Sequence, residues 1–594
     1  MKKHTEIRFE EAIELYLTEH GYQKGDPEKY NSDTALFPDD VIEFISTSQP
    51  AYWKHLVEYN GNKAKEVLLT SLVKELDSKG SLYVLRHGFK CFGRNFKLAF
   101  FKPNTKLNPD AWKDYEKNIL KIYRQVHFSK NNTNLSIDVV IAVNGIPFAT
   151  MELKNPLSGQ NVENAKKQYK EDRDPRELIF QFKKRALVHF AVDTEEVYMT
   201  TKLEGNDTFF LPFNKGFNLG AGNPPIRENY RTAYLWEDVF AKDSLLDLIG
   251  KYLHLEIAEK KVYTEKGVIK KKKETLIFPR FHQLDVVRKL LDNAKQNGSG
   301  HNYLIQHSAG SGKSNSIAWL AYRLASLHTE DDQKIFHSVV VITDRRVLDK
   351  QLQDTIYQFE HKEGVVQKID EDTKQLVEAL ATGVPIIIST IQKFPFIAEA
   401  LDRLTKEGKE LEIATKGKRF AVIVDEAHSS QSGEAATELK KILNKEGIES
   451  VVAEQMLDMK DEPLSDEAKA EMIRDMAKRN RQPNLSFFAF TATPKYKTKY
   501  FFDEPGPDGK SPFHLYSMRQ AIEEGFILDV LANYTTYKAF FKLIKSIEED
   551  PKVPRRKTSK ALTRFLNFHP HNLRQKVEVI IEHFRNYTKS KIGG

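Results

Sequence analysis

Cysteine is almost missing from this chain: one residue of 594, Cys91. A lone thiol excludes an internal disulfide and a cysteine-based zinc cluster, and it suits a reducing compartment. Long apolar runs are missing too. No stretch approaches the ~18 apolar residues of a membrane-spanning helix, so no membrane partner is expected. The opening residues, MKKHTEIRFEEAIELYL, hold no apolar core of signal-peptide length. Together these absences predict a cytoplasmic protein. Internal repeats are not visible. The histidines are scattered, none at zinc-ligand spacing.

Neither sign of charge dominates. Lys and Arg number 91 against 83 Asp and Glu, a net charge of +8. That balance permits a nucleic-acid partner without demanding one. The apolar and charged fractions, 40% and 29%, are ordinary for a globular protein. The length predicts three or four domains.

What is present changes along the chain. Residues 5–20 predict an amphipathic helix, with Ile7, Phe9, Ala12, Ile13 and Leu15 to Leu17 giving an apolar stripe. From about 82 to 200, short β-rich runs dominate, among them SLYVLRHGF, FKLAFFKP, IDVVIAVNG and FATMELKN. They predict a mixed-sheet α/β domain over 1–260. The stretch 261–278 reads as a basic, solvated linker. Beyond it, apolar strand-like runs alternate with helical stretches: NYLIQ, SVVVITD, VPIIIST, FAVIVDEAH and LSFFAFTATP. This rhythm predicts a doubly wound parallel sheet over 279–510, with a charged helical insertion at 434–484. Residues 511–594 read as a connector and the beginning of a further domain.

The second domain carries a nucleotide-binding pattern. In HNYLIQHSAGSGKSNSIAWL, a strand is followed by a glycine loop and a helix. Gly310, Ser311, Gly312, Lys313 and Ser314 match the end of G-x-x-x-x-G-K-[ST]. Glycines let backbone N–H groups wrap phosphates, and the helix N-terminus adds its positive dipole. Lys313 would reach the β/γ-phosphates of ATP, and the Ser314 hydroxyl would hold Mg2+. His307 stands where the first glycine belongs. Downstream, FAVIVDEAH puts Asp425 and Glu426 at the C-terminal end of an apolar strand, where ligands bind in such sheets. Asp425 would hold Mg2+ and Glu426 would polarise the attacking water.

The first domain poses a different problem. SIDVVIAVNGIPFATMELKN reads as two apolar strands around Asn144-Gly145, yet Asp138, Glu152 and Lys154 are planted in them. Either the charges sit on a wet face, or two carboxylates hold Mg2+ with a lysine beside them. Glu152 and Lys154 share a strand face. A two-residue loop alone would oppose Asp138 to Met151 and point it away from Glu152. The metal-site reading therefore predicts a bulge or an odd-numbered loop, such as Val143-Asn144-Gly145.

The order of motifs carries a resemblance. Gln283 in PRFHQ, the phosphate loop, VITDRRVLDKQLQD, STIQKF, the DEAH box ending in His428, and Thr491 and Thr493 in FTATP resemble superfamily 2 helicases and translocases. The spacing D-(x13)-E-x-K resembles the PD-(D/E)xK nucleases. Nuclease first and DEAH-box motor second, the chain resembles the motor-nuclease (R, restriction, HsdR-type) subunit of type I restriction–modification enzymes. The resemblance implies ATP-driven translocation along double-stranded DNA and Mg2+-dependent cleavage of unmethylated DNA away from the recognition site. It implies modification (methyltransferase) and specificity subunits as partners. It implies that Gln283 reads adenine and that His428 links the ATP site to the DNA-contacting motifs. Glu10 resembles an extra helical acid of some such nucleases; a surface glutamate is the other reading. The family's Gln-x-x-x-Tyr element is altered, with Tyr169 present and alanine at 165. A second RecA-like domain is not discernible, which implies a piece of a longer protein that binds ATP and turns it over poorly. A stand-alone repair helicase–nuclease and a non-catalytic DNA-binding scaffold are the alternatives.

Overall fold

A computed structural model describes residues 2–264, 267–343, 418–425, 484–494, 504–529 and 570–584, with short stretches between 355 and 390 and Phe502. The helical insertion expected at 434–484 lies outside these residues, apart from Asn484. So does most of 530–594.

Apolar side chains on both faces of central strands build the first sheet. Its members are β1 (Gln23–Lys24), β4 (Leu120–His127), β5 (Ser136–Val143), β6 (Ile146–Leu153), β7 (Val188–Val192), β8 (Val197–Thr200) and β9 (Leu211–Pro212), in that spatial order. The intervening β2 (Phe89–Cys91) and β3 (Arg94–Phe96) form a separate small hairpin. β1–β4 and β6–β7 are parallel, and the remaining pairs are antiparallel. β6 is buried along its whole length, as expected of a strand covered on two sides. Around this sheet lie α1 (Lys2–Glu19), α2 (Pro38–Ser48), α3 (Pro50–Asn60), α4 (Ala64–Lys79), α5 (Ser81–His87), α6 (Pro109–Glu116), α7 (Val162–Glu171) and α8 (Lys242–Asp247).

Two local expectations change. SLYVLRHGF reads as a strand, but Ser81–His87 is helical. Gly80 and Gly88, at φ 88° and 77°, close its two ends. Leu82, Val84 and Leu85 are buried, and the Arg86 guanidinium donates to the carbonyls of Ile249 and Leu253 at 2.7 and 2.5 Å. Tertiary packing overrides local β preference here. The expected basic linker is instead an antiparallel ribbon. β10 (His254–Thr264) pairs with β11 (Gly267–Ile277) in unbroken register from His254↔Ile277 to Thr264↔Gly267. The lysine run hid the β-branched residues that flank it on both strands.

The second sheet is wholly parallel. It follows α9 (Phe281–Asn297) and contains β12 (Asn302–His307), β13 (Ser338–Thr343), β14 (Val366–Lys368), β15 (Ile386–Thr390), β16 (Phe420–Asp425), β17 (Leu485–Thr491) and β18 (His514–Tyr516). The order is β14-β15-β13-β16-β17-β12-β18. α10 (Lys313–Ala325) leaves β12 through the glycine loop. β18 lies beyond residue 510, so this sheet draws a strand from the stretch that sequence reads as a connector. α11 (Met518–Glu523) follows β18, and α12 (Pro570–His583) lies further on. One apolar cluster contains Val139 and Ile141 of the first sheet and Ile305 and Val339 of the second.

Candidate active sites

The geometry of Asp138 and Glu152 rests on one extra residue. β5 and β6 are joined by two residues, Asn144 and Gly145, at φ 52° and 82°, with Val143 paired to Ile146. The three-residue loop offered by the sequence is not used. A bulge does the work instead. Ala142 pairs with Pro147 but Ile141 pairs with Ala149, leaving Phe148 as the added residue. Pro147 has no N–H to give to the ladder, so the strand bulges beside it. From there Val140 pairs with Thr150 and Val139 with Met151. One step further, Asp138 falls across from Glu152, on the same face.

The two carboxylates are held by different partners. Asp138 Oδ2 accepts from the Leu153 amide at 2.7 Å, and Oδ1 accepts from Gln125 Nε2 at 3.3 Å. Glu152 is 0% exposed. Its Oε1 accepts from Arg173 Nε at 2.6 Å, while Oε2 is buried without a hydrogen-bond partner. Burial, reinforced by Asp138, pushes the Glu152 carboxyl up to about 8 against the pull of Arg173 and Lys154. Lys154 Nζ lies 4.0 Å from Asp138 Oδ2 and donates to the Leu153 carbonyl at 3.0 Å.

Glu10 is no surface residue: it is 3% exposed and faces this group from α1. Its Oε1 accepts from Gln125 Nε2 at 2.9 Å and its Oε2 from Arg124 at 3.1 Å. Burial and Asp138 raise it to about 7. Gln125 thus bridges two acids with one amide group, from a left-handed backbone at φ 52° within β4. Such strain in mid-strand is characteristic of functional positions. Tyr169 lies on the same side of β6 as Glu152, one strand repeat along. Its hydroxyl meets Thr150 Oγ1 at 2.8 Å, which meets His189 Nδ1 at 2.8 Å, all buried. Sequence reasoning missed Gln125 and Arg173. Neither sits in a motif, and topology alone brings them in.

The glycine loop is the second site. Gly310 and Gly312 have φ of 71° and 74°, and α10 begins at Lys313 with Ser314 in its first turn. Lys313 Nζ lies 3.5 Å from the His307 carbonyl. In this structure Gln283 grips the loop itself. Its Nε2 donates to the Ser311 and Gly312 carbonyls at 3.2 and 3.0 Å, and its Oε1 accepts from the Arg280 amide at 2.8 Å. Arg280 Nη2 donates to the Gly310 carbonyl at 2.9 Å, and His282 Nε2 meets the Ser311 carbonyl at 2.9 Å. Three residues of PRFHQ therefore shape the loop, and sequence singled out one. A Cβ on Gly312 would lie 2.5 Å from Gln283 Nε2. His307, at the first glycine position of the motif, is buried and meets His514 at 2.8 Å.

Parallel pairing aligns the strand ends. Asp425 is level with Phe490, and Thr491 is level with Gln306 just before the loop. The Thr493 amide donates to Thr491 Oγ1 at 3.3 Å. Glu426 and His428 lie outside the described residues.

Residues 3–208 match the family model of the type I restriction enzyme R protein N terminus, and residues 282–448 match that of the SWI2/SNF2 ATPase. The chain is 25% identical over 349 residues to a sequence assigned as the type I restriction enzyme MjaVIIIP endonuclease subunit of Methanocaldococcus jannaschii, covering 56% of this chain and 31% of that one. It is 23% identical over 448 residues to the type I restriction enzyme HindI endonuclease subunit of Haemophilus influenzae, covering 72% of this chain and 36% of the other. A fragment structure assigned to an HsdR subunit of a type I restriction enzyme from Vibrio vulnificus aligns at 15% identity and a TM-score of 0.26, covering 73% and 60% of the two chains. The alignments span about a third of the curated relatives' own lengths.

Proposed function

From an HsdR-type subunit that pairs an R-protein N-terminal domain with a SWI2/SNF2 ATPase domain, we infer the motor and endonuclease component of a type I restriction enzyme. It moves double-stranded DNA using ATP and cuts unmethylated DNA away from the recognition site. The modification and specificity subunits find that site and read its methylation. The observation that carries the cutting half is the bulge beside Pro147, which sets Asp138 across from Glu152 with Lys154 within reach.

A divalent ion suits the residues. Among the described residues no three His, Cys, Asp or Glu are gathered as a ready metal cluster. Mg2+, however, takes one or two carboxylates and keeps water for its other positions. Two facing carboxylates, one with a buried and unpartnered oxygen, supply that pair. Asp138 and Glu152 would hold the ion. Once bound, it acidifies a coordinated water and stabilises charge at the scissile phosphate. The Leu153 amide and Gln125 fix Asp138, and Arg173 fixes one oxygen of Glu152. Lys154 donates to the attacking water or to a phosphate oxygen.

In the motor, the Gly310, Ser311 and Gly312 amides cradle the ATP phosphates and Lys313 reaches the β/γ-phosphates. Ser314 and Asp425 would hold Mg2+, and Glu426 orients the water. Gln283 and His428 complete the site, the first already on the loop backbone. The left-handed glycines fit this role, because a side chain at Gly312 would meet Gln283.

The test uses the complete subunit assembled with its partner subunits on unmethylated circular plasmid with Mg2+ and ATP. Glu152→Ala should lower cleavage at least ~100-fold while ATP hydrolysis stays within about twofold of wild type. Cutting at the wild-type rate would remove Glu152 from the site.

A further inference from the structure

The β2–β3 hairpin carries a strain that its own packing does not repay. Its two-residue turn, Phe92–Gly93, lies between the paired Cys91 and Arg94. Both turn residues are left-handed, at φ 48° and 73°. Glycine adopts this conformation freely, whereas a bulky aromatic does so at a cost. Burial of the ring would offset that cost, yet Phe92 is 49% exposed. A strained residue holding an apolar ring in water points to a ligand outside the fold.

Phe92 does not stand alone. On α3, Tyr52, His55 and Tyr59 are three and four residues apart and share a face. The Tyr59 ring lies 5.5 Å from Phe92 and 4.7 Å from His55. Tyr59 is 67% exposed and Tyr52 is 40% exposed. The Arg94 guanidinium sits 5.7 Å from the Tyr52 ring centre. Charge on these two segments is one-sided. Residues 50–65 and 89–97 contain Lys54, Lys63, Lys65, Lys90, Arg94 and Lys97 against one acid, Glu58. Glu58 is 3.9 Å from Lys54. Among the described residues the other five cations make no ion pair.

We propose that this platform, the exposed face of α3 with the tip of β2–β3, binds a single-stranded stretch of nucleic acid. Unstacked bases lie on Phe92, Tyr59 and Tyr52, and Lys90 and Arg94 take the flanking phosphates. Cations interleaved with exposed rings suit a strand whose bases are free to stack. A duplex keeps its base faces covered and offers these rings nothing. None of the platform's residues belongs to the sites proposed for cleavage or ATP turnover.

The full chain, in EDTA and without ATP, should bind a fluorescent 15-nucleotide oligo-dT by anisotropy. The Tyr59→Ala/Phe92→Asn double variant should bind it about tenfold or more weakly, with affinity for a 15-base-pair duplex changed less than about twofold. Asparagine tolerates the left-handed turn, so Phe92→Asn alone should keep or raise the thermal midpoint and still weaken oligo-dT binding. Lys90→Gln/Arg94→Gln should reduce the slope of log K against log salt by about 0.7 per charge removed. Photocrosslinks from 4-thiothymidine should map to residues 52–59 or 90–96. Unchanged oligo-dT affinity in both aromatic variants, or crosslinks only elsewhere, overturns the proposal. A larger loss of binding to poly-L-glutamate than to oligo-dT also overturns it, in favour of an acidic protein surface.

Discussion

At the scale of single residues, the nuclease-like centre is a problem in charge burial. Glu152 is wholly enclosed, and Arg173 is its closest compensating charge. Above about pH 8, where Glu152 is ionised, replacing Arg173 with glutamine leaves a buried carboxylate without its ion pair, so Arg173→Gln should there cost about 3–5 kcal/mol by denaturant unfolding. A loss below 1 kcal/mol would mean that the pair carries little. The raised carboxyls give a second test. Glu152 and Glu10 are pushed up to about 8 and about 7, so between roughly pH 4.5 and 8 these two groups hold more protons in the folded chain than in the unfolded one. Their contribution to stability should therefore fall as pH rises through that window, because they must ionise while buried. The buried His189, His254, His282 and His307, held below the usual imidazole range, act in the opposite direction below about pH 6.5, so the slope is read as the difference between wild type and Glu152→Gln. Mg2+ should recover more of the thermal midpoint at pH 8.5 than at pH 5.5, since the ion competes with protons for the same oxygens. Equal Mg2+ shifts at both values would argue against metal at this pair. Much of this centre was legible. Carboxylates and a lysine inside apolar strands are anomalous in any sequence. Gln125 and Arg173 were not legible, because each reaches the site from a different element and carries no periodic signal.

At the scale of elements, the β5–β6 hairpin decides which face the charges occupy. Asn144-Gly145 announced the turn, and the structure keeps it at two residues. The bulge could have been read from Pro147, which cannot serve a central ladder without one. Gly145 is fixed by sterics as well as by φ. A Cβ there would lie 2.6 Å from Val41 Cγ2 and 2.7 Å from the Phe37 carbonyl. Gly145→Ala should destabilise the protein by roughly 1–3 kcal/mol. Inserting one alanine between Thr150 and Met151 should do something different: Val139 would meet the added residue, and Glu152 and Lys154 would turn to the opposite face. Cleavage by the assembled enzyme should then disappear while ATP hydrolysis persists. Cleavage that survives the insertion would separate the strand register from the chemistry. Other elements were hidden for related reasons. α5 is held by Gly80, Gly88 and long-range contacts of Arg86, none of them a local periodicity. The β10–β11 ribbon was masked by its lysines, since charge runs usually mean solvated loops.

At the scale of the whole molecule, the order of the two halves was legible but their union was not. Motif order separates a mixed sheet from a parallel one. The contacts that join them come from residues with no motif at all. Trp319, on the helix that follows the phosphate loop, is fully buried. It donates from Nε1 to the Tyr252 carbonyl at 2.8 Å. One turn on, Arg323 pairs with Asp247 at 2.5 Å, and Arg288 of α9 donates to Ser244 at 2.6 Å. The residues just before the ribbon therefore clasp both motor helices, and the apolar cluster runs through the joint. A shared core predicts shared unfolding, because neither half can open without exposing the other's apolar face. Trp319→Ala should cost about 3–5 kcal/mol. Its effect should reach beyond the motor. In calorimetry the described halves should melt as one transition that shifts as a whole. Pulse proteolysis should show cleavage sites in 100–200 and 300–340 becoming accessible at the same denaturant concentration. If the variant instead lowers the midpoint of the 300–340 sites alone, the joint is a docking contact between independent folding units, and Trp319 belongs to the motor only.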